Sequence, residues 1–206
     1  MPLSPLLLIA SAGALLDGAR GEHDTERLAK QFLGELDHTA PAGRWNAAFI
    51  HHAGYWSHFE HHIGRSAWPL PPALDCHELG AFAEANGVLS AGKPEFGEVF
   101  LLWSPLRKRF LHTGIILAAE PLGAGTGAAE AERYECHTME GNITHTGCVG
   151  GSRLARVRRI LSPARHDRTI RWMDLEPRAV ATRSHQSGSR RIDRQGSALE
   201  SLPSAA

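Results

Sequence analysis

Asn46 opens an apolar run in the stretch GRWNAAFIHH (residues 43–52), and a side chain at that point is placed to do chemistry. Ala47, Ala48, Phe49 and Ile50 read as the first turns of a buried helix with Asn46 as its N-cap, since a carboxamide oxygen can accept from the unpaired amides of a first turn. A group there also feels the positive end of the helix dipole. A cysteine at such a point would be driven toward its thiolate and act as a strong nucleophile. This chain carries asparagine. As an N-cap alone, Asn46→Ala is expected to cost about 1 kcal/mol.

Other residues of chemical interest lie further along. By the period of two, His112, Gly114 and Ile116 share one strand face, and Cys136, Thr138 and Glu140 share one face of another. If the helix start docks on the sheet, Asn46, His112 and Glu140 can converge. Taken alone, His112 reads as a satisfied core or edge histidine, and Gly141-Asn142 as a turn ending the strand. His51, His52, His58, His61 and His62 crowd around Glu60, and His58 and His62 are four apart, a spacing that puts two imidazoles on one helix face. No third ligand is fixed by spacing, so the preferred reading is a polar helix end, with no metal and no cofactor expected. Arg153, Arg156, Arg158 and Arg159 form a basic run whose default is a solvated strand face; Arg156 and Arg158 share one side, which leaves an acidic ligand there as the weaker reading.

The elements that must hold these groups follow from periodicity and breakers. Ser4 and Pro5 can start a helix through the apolar run Leu6–Leu16. Thr25–Leu36 has a helical period, and Asn46–Ser57 is the central helix. Arg65–Pro72 is a proline-stiffened loop, and Asp75–Asn86 a short helix closed by Gly87. Strands follow at Glu98–Trp103, Phe110–Ala118, Arg133–Glu140, Arg153–Leu161 and Thr169–Leu175. The glycine-rich loop Gly123–Ala129 lacks the βαβ setting of a dinucleotide site. Helices first and strands after predict an α+β domain over residues 1–175, its N-terminal helices packed on a mainly antiparallel sheet of about five strands. Residues 176–206 read as a disordered tail.

Composition narrows the partners. Lys+Arg and Asp+Glu are 22 each in 206 residues, so no net field points to nucleic acid. No run of 18 apolar residues exists, so no membrane span is expected. Ala10-Ser11-Ala12 resembles a signal cleavage site, but no Lys or Arg precedes Arg20 and the apolar run before it is short. A core helix, and with it a cytoplasmic location, is preferred over export. Three cysteines without CxxC spacing indicate neither a disulfide framework nor a zinc ribbon, and leave one bridge open.

Four blocks then line up in order: WNAAF (45–49), PEFGEVF (94–100), HTGII (112–116) and MEGN (139–142). Together they resemble the CHAP amidohydrolase/peptidase family of the NlpC-like, papain-like superfamily, over roughly residues 3 to 175. The resemblance implies a papain-like fold whose members cleave amide bonds, commonly in peptidoglycan. It sets Asn46 on the family's nucleophilic cysteine, His112 on its general base, and Glu140 and Asn142 on the groups that orient that base. Glu98 stands for the family's Asp and Thr113 for its usual Val. Trp45, which opens the first block, and Trp103, just past the second, are the expected binding residues.

The family chemistry needs a thiolate beside an imidazole whose tautomer is fixed by a third group. A carboxamide supplies no nucleophile, so acyl-enzyme formation at residue 46 is expected to be abolished. The expectation is a CHAP-like protein without cysteine catalysis that binds a peptide or peptidoglycan-like ligand in the remnant cleft. The alternative is an active amidase or endopeptidase using a displaced cysteine or a metal-activated water. For the displaced thiol, Cys136 lies about 13 Å along its strand from Glu140, and Cys148 lies in the following loop; neither is placed at a helix N-terminus.

Overall fold

The computed structural model describes residues 4–18, 27, 45–60 (side chains through 55), 68–73, 75–123, 133–144 and 153–175. Several sequence expectations lie outside them: the helix over Thr25–Leu36, the side chains of His58 and His62, Cys148, most of the glycine-rich loop, and the tail 176–206. In chain order the elements are α1 (Pro5–Gly18), α2 (Asn46–Glu60), α3 (Cys76–Ala85), β1 (Leu89–Ser90), β2 (Val99–Ser104), β3 (Arg109–Pro121), β4 (Tyr134–Ile143), β5 (Arg153–Leu161) and β6 (Arg168–Ile170), with a short 3-10 turn at Trp172–Asp174. The domain is α+β. Among the described residues six strands form one sheet in the order β1-β6-β2-β3-β4-β5, and every neighbouring pair is antiparallel.

Two expectations are corrected by the sheet. The segment Thr169–Leu175 is not one strand, since β6 ends at Ile170 and the chain turns to bury Trp172. The ring's Nε1 donates to the Gly97 carbonyl at 2.7 Å, and this anchor outweighs continued pairing. The sixth strand, β1, is two residues long and carries no periodicity to read.

Alternation sorts the strand residues between two faces. Val99, Leu101, Ile115, Met139 and Ile170 join the core built with the helices, including Leu8, Ala12, Phe49, Ile50, Ala53 and Leu79. Phe100, Ile116, Tyr134, Cys136 and Leu161 form a second cluster. In α1, Leu8 and Ala12 are fully buried, which agrees with the reading of this segment as a core helix. The helix starts against Gly97, whose φ is +81° and where a Cβ would fall 2.1 Å from that of Pro5.

Three register shifts bend the sheet. One sets Leu102 opposite His112 but Trp103 opposite Phe110, leaving Leu111 as an extra residue in β3. Another lies between Ile116 and Ala118. The third falls between Glu140 and Ile143 in β4, so Gly141-Asn142 is a bulge inside a strand rather than a strand-ending turn. Asn142 takes a left-handed φ of 63° there, which asparagine tolerates better than most residues. Bulges re-aim side chains, and two of these flank the residues of chemical interest.

Gly114 shows how closely that region is packed. A Cβ there would lie 2.7 Å from each of the Glu140 side chain, the Met139 carbonyl and the Phe100 ring. Gly114→Ala is therefore expected to destabilise the fold by about 1–3 kcal/mol, read as a shift in the denaturant midpoint at unchanged slope.

Candidate functional site

The N-terminus of α2 meets β3 at the Leu111 bulge. Asn46 is the first helical residue rather than the N-cap: Phe49 N–H donates to the Trp45 carbonyl at 2.9 Å, so the cap position is Trp45. The carboxamide still takes a first-turn amide, because Oδ1 accepts from Ala47 N–H at 2.9 Å. It also accepts from the Cys76 thiol at 3.2 Å. On the other side Nδ2 donates to His112 Nδ1 at 2.9 Å and to the Leu111 carbonyl at 3.3 Å. Both oxygen lone pairs and both N–H bonds are thus engaged. Since a backbone N–H can only donate, Oδ1 and Nδ2 cannot exchange places.

That orientation fixes the imidazole. A carboxamide nitrogen only donates, so His112 Nδ1 accepts and the ring proton sits on Nε2. Nε2 donates to Glu140 Oε2 at 2.7 Å, and the ring lies 6.0 Å from that of Phe100. Arg159 grips the same carboxylate through two nitrogens, Nε to Oε1 at 2.9 Å and Nη2 to Oε2 at 2.6 Å, the fork geometry that makes such pairs strong. Thr138 Oγ1 donates to Oε1 as well. Burial pushes the Glu140 carboxyl up, but the hydrogen bonds from His112 and Arg159, with the Arg159 charge, outweigh it and hold it below the usual carboxylate range.

The site is closed in. Asn46 is 4% exposed, and His112 and Glu140 are 0% exposed. The structure therefore brings together Asn46, His112 and Glu140, in the order helix start, imidazole, carboxylate. Asn142 is buried two residues beyond Glu140, in the bulge. Both ring nitrogens of His112 are taken by Asn46 and Glu140, so the orienting contact is Glu140's. Trp45 is buried, with its ring against Gly141. Trp103 is half-buried and stands edge-on to Phe110, with centroids 5.2 Å apart. Glu98 is buried apart from this network: Oε2 accepts from Glu95 N–H and Oε1 from Arg171 Nε, and burial raises its carboxyl above the usual value.

Two residues of the site escaped the sequence reading. Cys76 opens α3, whose N-cap Asp75 accepts from His77 N–H at 2.7 Å. Asp75 at a helix start was legible; that this start faces Asn46 was not. Burial, with the Asp75 charge beside it, pushes the Cys76 thiol up to about 12, so it stays protonated and donates to Asn46. Arg159 was grouped with a solvated basic face, yet its side chain is only 17% exposed and is committed to Glu140. Cys136 belongs to the second cluster, its sulfur 3.9 Å from the Tyr134 carbonyl, and burial pushes it to about 12 too. Among the described residues no group of three His, Cys, Asp or Glu side chains could hold a metal ion, and no helix is long and apolar enough to cross a membrane.

Removing the Asn46 side chain strands His112 Nδ1, the Cys76 thiol, the Leu111 carbonyl and the Ala47 amide at once. Asn46→Ala is expected to cost about 2–4 kcal/mol in chemical denaturation, well above the figure for an isolated cap. A loss of about 1 kcal/mol or less would mean that the four bonds do not act together.

Comparison of the chain with protein-family profiles, with curated proteins and with solved structures finds no match.

Proposed function

We propose that this chain is a CHAP-like, papain-like domain that has lost cysteine catalysis and serves as a binding protein for a peptide or peptidoglycan-like ligand. One observation carries the reading: the Asn46 carboxamide nitrogen lies 2.9 Å from His112 Nδ1 while Glu140 holds Nε2. In a cysteine hydrolase the sulfur lies on one ring nitrogen and the orienting group on the other. Here the same line of three groups begins with an amide. It has no electron pair of thiolate strength, and its hydrogens already satisfy the base that would activate a nucleophile. The four ordered sequence blocks support the family reading, and the stem peptides of peptidoglycan are the ligand class that the resemblance suggests.

The second reading, a hydrolase with a displaced thiol, has Cys76 in its favour, at a helix start and 3.2 Å from the Asn46 oxygen. Against it stands a thiol pushed to about 12, which stays protonated and hydrogen-bonded to Asn46, since the thiolate is the reactive form. The test is a paired assay of the unaltered protein on cell-wall sacculi, following both release of soluble fragments and retention of the protein on the insoluble wall. Retention without turnover is the expected result. Turnover that disappears in Cys76→Ser would establish the second reading. Neither retention nor binding of an isolated stem peptide would remove the ligand class.

A further inference from the structure

We propose that the outer edge of β5 docks an acidic, extended peptide, which adds to the sheet as a further strand. β5 is last in the strand order and pairs on one side only, with β4. At nine residues it is long for an edge strand. The Val157 carbonyl lies 3.1 Å from Thr138 Oγ1 of the facing strand, which shows that the backbone groups of Val157 point toward β4. In an antiparallel ladder those of the neighbours, Arg156 and Arg158, then face outward. Among the described residues no backbone group takes them up.

The side chains along this edge state what would fit. Arg156, Arg158 and Ile160 share one face, opposite Met139, His137 and Glu135 of β4. Arg156 is exposed, the Arg158 side chain is 70% exposed and Ile160 is 52% exposed. Glu135 pairs with Arg158, and among the described residues Arg156 has no ion-pair partner. Arg159 points to the other face and is held by Glu140. A second copy is a poor occupant: antiparallel pairing about Val157 sets Arg156 against Arg158 twice, and like charges directly opposed destabilise a ladder. An acidic strand answers the row. Side chains two apart on an added strand fall beside side chains two apart on β5, about 6.6 Å along. Carboxylates at two alternate positions would therefore meet Arg156 and Arg158, and an apolar side chain two further would cover Ile160. Backbone pairing supplies affinity and the alternate side chains supply choice of partner.

The probe is a labelled peptide of alternating glutamate and valine, followed by fluorescence anisotropy with the full chain. Saturable binding that weakens as salt is raised is expected. It should weaken at least about tenfold in the double variant Arg156→Glu, Arg158→Glu. It should be lost when the glutamate backbone nitrogens are methylated, because in an antiparallel ladder the residues opposite Arg156 and Arg158 supply the N–H donors. A lysine-valine peptide should not bind, which keeps the charge requirement testable if the double variant folds poorly. No binding would leave the arginines as a charged guard against self-association and overturn the proposal. Equal binding of the backbone-methylated peptide would show attraction without strand addition, and would overturn it too.

Discussion

Asn46→Cys, made in a chain whose Cys76 is serine, is expected to create amide hydrolysis that the unaltered protein lacks. The new sulfur would stand where the carboxamide nitrogen now stands, beside His112 Nδ1 and at the first residue of α2. A helix N-terminus and an adjacent imidazole both favour the thiolate, while Glu140 and Arg159 already hold the ring. Nucleophile, base and orienting group act as a unit, and supplying the missing member is worth up to about a million-fold in rate. Cys76 must be replaced because its sulfur lies 3.2 Å from the Asn46 oxygen and would oxidise with a new thiol. The checks are sacculus or peptide turnover and the pH dependence of alkylation of the new thiol. A thiol titrating well below about 8.5 together with turnover is the expected pair of results. A folded variant with an ordinary thiol and no turnover would show that the His112–Glu140 pair cannot support the family chemistry.

Glu140→Gln is expected to cost about 3–5 kcal/mol of stability near neutral pH, the penalty for leaving one partner of a buried ion pair without its counter-charge. Arg159 would keep its position over a neutral amide, and one carboxylate acceptor would become a donor facing Thr138 or His112. The effect carries a pH signature. Because His112 and Arg159 hold the folded carboxyl below its ordinary value of 4.5, its contribution is fully present above that pH and is lost as pH falls through the lower folded value. The gap between the unaltered protein and Glu140→Gln, measured by denaturant titration, should stay level from neutrality down to about pH 5 and shrink below 4.5. Glu98, raised by burial, titrates in both proteins and cancels in the difference. A gap that persists unchanged at the most acidic folded pH would place the stabilising contact elsewhere.

Much of the frame was legible in the chain because local patterns dictate it. Pro5 and Gly87 mark helix ends, the apolar runs of β2 and β3 announce a central hairpin, and Arg153–Leu161 is a strand with the bounds that its alternation gives. The meeting of Asn46, His112 and Glu140 followed from strand parity and from one helix start docking on the sheet. What escaped depends on non-local facts. A two-residue strand has no period. The break after Ile170 is set by the Trp172–Gly97 hydrogen bond, across 75 positions of sequence. Gly141-Asn142 has the composition of a turn, yet pairing with β5 on both sides keeps it within a strand as a bulge. Cys76 was visible as the start of a helix but not as a neighbour of Asn46, 30 residues earlier. Arg159 looked solvated because its run is basic; only the sheet register reveals that it reaches Glu140.

The most direct test of the amide in the nucleophile's place is nitrogen NMR of the His112 ring with the Asn46 side-chain amide assigned. The account predicts a proton on Nε2, a bare Nδ1, and scalar coupling from the Asn46 side-chain N–H to Nδ1 across their 2.9 Å contact. A proton on Nδ1, or an Asn46 amide showing no coupling to the ring, would contradict it.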